Sequence, residues 1–233
     1  MSLLTAIQYH CARTGIPVPS SVIGTTNTQV LQCLRLLEEE GNDLALRGMW
    51  NVLTVEASLT TLAAESQGAI TSIATRSYRY IINDTIWDRT RKQPIYPINQ
   101  DDWQAIKGTV SAAPPYRYRL RDGELLVVPT PSAGLSWYFE YMSEAWIKNG
   151  SNYVSYFVAD TDTMLLPEKL LIMGLRWRWK KENGLEYAED FATYESQVKQ
   201  ILAEEQPRKH LYMNTDNSNM PGIYVAAGSW ITP

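Results

Sequence analysis

The chain has 233 residues, 45% of them hydrophobic and 20% charged, which is ordinary globular composition with enough length for a real core. A formal charge of −4 leaves no global basic field to draw it to nucleic acid. Two histidines and two cysteines without a CxxC partner exclude a typical zinc site, and no apolar run reaches the roughly 18 residues that cross a bilayer. The first residues, "MSLLTAIQYHCARTG", lack a basic stretch followed by an apolar one, so no signal peptide is expected and Cys11 and Cys33 are expected to stay reduced. Fourteen Tyr and eight Trp stand against three Phe. Tyr and Trp carry a polar handle on a flat apolar body, which suits interfaces as well as a Tyr-rich core.

Leu3, Ile7 and Cys11 recur at four-residue spacing and predict a helix over 3–14, with Gly15 as its left-handed stop. "IPVPSSVIGTTN" is a connector, since its prolines forbid a helix. A second helix is predicted from Thr28 to Arg47, capped by Asn27, ended by Gly48, and striped by Val30, Leu34, Leu37, Gly41 and Leu44. Glu38, Glu39 and Glu40 read as its solvated side. "WNVLTVEASLTTLAA" reads as one or two strands, and "AITSIATRSYRYIIND" fits either a strand or a short helix.

The stretch "SYRYIINDTIWDRTRKQPIYPINQDDW" crowds carboxylates, guanidinium groups and indoles together. Asn99 opens a short helix near 99–107, so Asp101 and Asp102 are better explained as charges on its positive end than as a catalytic pair. Next, Tyr116, Tyr118 and Leu120 alternate with Arg117, Arg119 and Arg121, and Asp122-Gly123 supplies a tight hairpin turn. With Leu125–Val128 and Leu135–Met142 this predicts an antiparallel meander. Its Arg-rich face could touch phosphates, but a solvated face with cross-strand pairs such as Arg121 with Glu124 is the simpler account.

Pro167 and Glu168 open a third long helix that Lys180, Lys181 and Gly184 close. Leu170, Leu171, Ile172, Met173 and Leu175 surround its first half, which predicts burial by its own domain and by a neighbouring chain. A fourth helix follows, striped by Tyr187, Phe191, Tyr194, Val198 and Ile201, and Gly184 suggests an antiparallel helical hairpin. Residues 207–233 have no helical period yet carry Tyr212, Met213, Ile223, Tyr224 and Trp230. Such side chains suit an extended arm that docks on something, in preference to a flexible terminus.

No phosphate-binding Gly-rich loop and no GxSxG occurs. His10 is expected on a helix flank and His210 in the tail, too far apart in sequence to suggest a metal pair. Asp160 and Asp162 read as turn or capping residues, since a calcium loop needs more oxygen ligands. A glycosidase built on paired carboxylates is harder to dismiss, because two acids can come from anywhere in a fold.

The phrases "RGMWNVLTVE", "YIINDTIWDRTRKQPIYPINQDDWQAIKG", "PYRYRLRDGELLVVPTP" and "FVADTDTMLLPEKLLIMGLRWRWKKENGLEYAEDFATYESQV" resemble the head-to-tail adaptor (connector) proteins of short-tailed and related tailed bacteriophages. The resemblance implies an α+β fold, mainly an antiparallel helical bundle (1–48 and 164–206), with an inserted β-meander (49–163) and an extended C-terminal arm (207–233). It implies a structural virion protein at the head–tail junction, assembled in the host cytoplasm as a ring, usually of about twelve copies. Its partners would be the portal, tail or nozzle proteins, further copies of itself, and double-stranded DNA in a channel, with no membrane and no cofactor. Arg89, Arg91, Lys92, Arg117 and Arg119 are then candidate subunit or channel contacts, and Tyr212, Met213, Ile223, Tyr224 and Trp230 candidate docking residues. The rival classes are a peptidoglycan hydrolase on paired carboxylates and a nucleic-acid-binding module.

Overall fold

The computed structural model describes residues 1–108 and 115–205. Helix α1 (Leu3–Thr14) starts at Ser2 and Thr5, whose side chains each bond the other residue's backbone N–H, and ends at Gly15 with φ 75°. Helix α2 (Thr28–Arg47) starts where the Asn27 side chain accepts the Gln29 N–H. Both helices have the predicted bounds. Gly48 ends α2 for a different reason than expected. Its backbone is extended (φ −162°), and a Cβ there would overlap Leu202.

After a short 3-10 turn at Asn51–Leu53 come β1 (Thr54–Thr60), β2 (Ser66–Ala69), the single-turn α3 (Ile70–Ile73), β3 (Tyr78–Ile81), β4 (Trp87–Asp88), β5 (Gln93–Pro94) and β6 (Tyr96–Pro97). The ambiguous segment thus holds both a helical turn and a strand. Helix α4 (Gln100–Gly108) carries Asp101 and Asp102 in its first turn, as predicted. Then follow β7 (Arg117–Arg121), β8 (Glu124–Val128), β9 (Ser136–Ser143), β10 (Ile147–Asn149), β11 (Asn152–Val154), β12 (Thr163–Met164), α5 (Glu168–Glu182) and α6 (Ala188–Glu205). The fold is mixed α+β, with six helices and mainly antiparallel sheets among the described residues.

The meander is a hairpin, not three strands. β7 and β8 pair around Asp122-Gly123, both at positive φ, with Arg121 opposite Glu124 as expected. They belong to a sheet ordered β2-β8-β7-β6, in which β6 and β7 run parallel. β9 instead centres a second sheet, flanked by β1 on one side and by β3 and β4 on the other. The linker between β8 and β9 explains the departure. The linker 129–135 is too long for a two-residue hairpin turn, and Thr61, just after β1, holds it by accepting the Gly134 N–H and donating to Leu135 O and Ser132 O. The chain is therefore carried across to β1.

One core gathers α1, α2, α5 and α6 with Trp50, Met142, Trp146, Ile147 and Phe157. A second lies between the sheets around Ile86, Tyr118, Leu125, Trp137 and Phe139, and Trp103 of α4 packs on Leu126 and Val128. The all-round apolarity of α5 is met largely within the chain: α2 and α6 pack on it and α1 adds a further contact, leaving Ile172 and Met173 partly buried. The α6 stripe is only half covered, with Tyr194 and Val198 buried but Tyr187 and Phe191 exposed.

Candidate assembly surface and the buried charge network

The charged residues fall into two physical settings. The first is inside the helices. Glu38 and Glu40 are buried, with Glu40 at 0% exposure, so the three-glutamate run is not a solvated side. The reason is that α2 has covered faces on two sides, one of them against α5. Arg178 of α5 donates from Nε to Glu40 Oε2 at 2.6 Å and pairs its other nitrogens with Glu39 and Asp43. The Tyr194 hydroxyl of α6 donates to the second oxygen of Glu40. Gly174, one turn before Arg178, makes room for this carboxyl, since a Cβ there would overlap it.

Burial pushes the Glu40 carboxyl above its ordinary range, against the opposing hydrogen bonds from Tyr194 and Arg178. Burial and then the Glu40 charge raise the Tyr194 hydroxyl. A general acid must reach its substrate; Glu40 is sealed by three helices, so its raised pKa belongs to packing. His10 likewise is buried, not on a flank. Burial, then the charges of Arg13 and Arg176, lower its pKa to about 4.

Asp160 and Asp162 hold the loop before β12. Asp160 accepts the Ile23 N–H at 2.8 Å, the Val22 N–H at 3.1 Å and the Ser21 hydroxyl at 2.8 Å. Burial raises its pKa, but the bonds from Ile23, Ser21 and Val22 together outweigh it and hold the carboxyl below its ordinary range. Asp162 accepts the Val158 and Ala159 N–H groups and the Asn149 amide. The turn role holds; neither residue caps α5, which starts only at Glu168, but the Asp162 and Asp160 carbonyls accept the Leu3 and Leu4 N–H groups at the start of α1.

The second setting is the surface of the sheets. The turn after β4 is shaped by Asp88, which is fully buried and whose Oδ1 accepts the Thr90 and Arg91 N–H groups. That turn projects Arg89 over the Tyr138 ring, 3.5 Å from its centroid, where it also pairs with Glu56. Arg91 reaches the Tyr116 hydroxyl at 2.6 Å and Ser132 Oγ at 3.3 Å. Lys92 follows, exposed, at φ 57°. Arg117 and Arg119 are in the other sheet: Arg117 lies 5.3 Å from the Tyr96 ring, and Arg119 lines a shallow groove with Asn99, Gln100 and Asp101. The structure brings Arg89, Arg91 and Lys92 together on one turn and places Arg117 and Arg119 on a strand of the other sheet, with Arg91 reaching across to Tyr116 beside Arg117. Tyr212, Met213, Ile223, Tyr224 and Trp230, like His210, lie outside the described residues.

Among the described residues no three His, Cys, Asp or Glu side chains are grouped to hold a metal ion, and no helix is long and apolar enough to cross a membrane. The model of the SU10 adaptor protein family matches residues 2–221. The chain belongs to that family. It is a bacteriophage adaptor, a structural phage protein. No curated protein matches the chain. For an adaptor the signals that sequence reasoning missed are the buried ones. A cation at Arg178 on a helix apolar all round demands a buried anion nearby, and a small residue one turn earlier, Gly174, marks where that anion enters.

Proposed function

We propose that this adaptor forms a ring at the head–tail junction of a short-tailed phage, binds the portal, offers the platform on which the tail or nozzle assembles, and lines the DNA exit channel. The observation that carries the reading is the family match across residues 2–221. Residues 1–48 and 164–206 serve as a helical-bundle body, 49–163 as the β-rich insertion and 207–233 as a docking arm. Leu185, Tyr187 and Phe191 are more than a third exposed at the α5–α6 hairpin, which suits a face covered by a second copy in the ring. Arg89, Arg91, Lys92, Arg117 and Arg119 contact an acidic neighbour or the DNA phosphates. Tyr212, Met213, Ile223, Tyr224 and Trp230 anchor the arm on the portal or an adjacent adaptor.

Burying each large apolar side chain gains roughly 1.5–3 kcal/mol, while ordering backbone costs about 1–2 kcal/mol per residue. An arm of this kind therefore docks only by filling several pockets or pairing with a sheet. The test is mass measurement of the adaptor alone and mixed with its phage's portal. The expected result is a monomer alone and a complex of roughly twelve adaptors on the portal ring. A closed ring without portal at low concentration, or no complex with it, contradicts the reading.

A further inference from the structure

Among the described residues, strand β1 pairs with β9 alone and its other edge has no partner strand. The hydrogen-bond alternation of an antiparallel ladder fixes which groups face that edge. On β9 the backbone groups of Ser136 and Glu140 point to the β3–β4 side: Ser136 O accepts the Arg89 N–H at 2.9 Å and Glu140 O accepts the Ile82 N–H at 2.9 Å. Trp137, Phe139 and Tyr141 therefore face β1, where they stand opposite Leu59, Ala57 and Val55. The N–H and C=O groups of Glu56, Ser58 and Thr60 are left pointing outward.

Edges of this kind are normally blunted by Pro, Lys, a bulge or a cover. β1, "TVEASLT", has no Pro and no Lys, and its pairing with β9 has no bulge. An open groove runs beside it, lined by Glu56 through Thr60 and walled by Ser72, Ile73 and Thr75. Half-buried Val55 and Leu59, with exposed Leu62, offer apolar neighbours to an incoming strand.

The described chain ends beside the start of this edge. Asn51, three residues before β1, donates its N–H to the Glu205 carboxylate at 3.1 Å and its side-chain amide to Glu205 O at 3.0 Å. The 28 residues beyond include "GIYVAAGSWIT" at 222–232, with β-branched and aromatic residues at both ends. The 16 residues between, 206–221, span up to about 55 Å when extended, whereas β1 is about 23 Å long. The segment can thus reach the edge in either direction, and tethering gives it a high effective concentration there.

We propose that the open edge of β1 seats a strand formed by residues 222–232 of the same chain. Backbone pairing to Glu56, Ser58 and Thr60 supplies the register, and Ile223, Val225 and Ile231, which fall on one face of a strand, supply the apolar contact. Attachment of the arm in the virion then requires it to leave this edge. The inference does not rest on the portal reading, since it is tested on the isolated adaptor.

The test is residue-resolved amide exchange on the full chain. The Glu56, Ser58 and Thr60 amides exchange slowly in the wild type, and the arm variant Ile223→Asp/Val225→Asp speeds all three by about tenfold or more while Ala57 and Leu59 stay unchanged. Ser58→Pro removes one outward N–H without touching the ladder to β9, so it speeds chymotryptic cleavage after Tyr224. Equal exchange in wild type and the arm variant overturns the proposal. Protection that rises with protein concentration also overturns it, by assigning the strand to a second copy.

Discussion

Arginine does two different things in the two halves of this molecule. In the helices, Arg178 has 9% of its side chain exposed and meets three acids contributed by one face of α2. On the sheets, Arg89 has 55% exposed, meets one acid and lies flat on a tyrosine. The formal charges are the same, but only the first is enclosed. Removing a buried partner leaves an uncompensated charge where water cannot reach it, whereas an exposed pair gives up little. Arg178 therefore holds helices together, whereas Arg89 gives up little of the fold when removed; position on a sheet is not what decides this, since Arg79 of β3 donates to the Ala45 and Leu46 carbonyls at the end of α2.

The sharpest way to break this contrast is Arg178→Ala. It leaves Glu40 sealed without its guanidinium, and we expect a loss of about 3–5 kcal/mol in denaturant unfolding. Gly174→Ala attacks the same network through space alone, because the new methyl overlaps the Glu40 carboxyl. Since that carboxyl is held by Arg178 and Tyr194, the expected cost is about 2–3 kcal/mol by the same measurement.

His10 tests the helical half through pH. Its folded pKa of about 4 lies below the unfolded value of 6.5, so the unfolded chain takes up a proton first as pH falls. The stability it contributes is present above pH 6.5 and is lost as pH falls towards 4. Since His10 is buried, the loss is at most about 3 kcal/mol over that window. Unfolding curves of His10→Gln, compared with wild type from pH 7 to pH 4, are expected to lack that share of the decline.

How much of this was legible in the sequence follows from the range of the forces involved. The bounds of α1 and α2 were readable because Asn27, Gly15 and the apolar spacing act within a few residues. The Asp122-Gly123 hairpin was readable for the same reason. Glu40 was not, because periodicity names the strongest apolar stripe and is silent on a second face, which exists only once α5 arrives from over 130 residues away. β9 was misplaced for a like reason: its alternation is real, but its partners are decided by where Thr61 pins the linker. Of the candidate surface, the residue types were visible in the sequence. Their division between a turn on one sheet and a strand on the other was not, since it depends on sheet topology.

We propose that Arg89, Arg91 and Lys92 act in assembly and not in the fold. The most direct test is the combined variant Arg89→Ala, Arg91→Ala and Lys92→Ala, measured twice, for unfolding free energy and for occupancy on the phage's portal. We expect stability within about 2 kcal/mol of wild type, well short of the Arg178→Ala loss, and a strongly reduced occupancy. Full occupancy, or a destabilisation as large as that of Arg178→Ala, would contradict it.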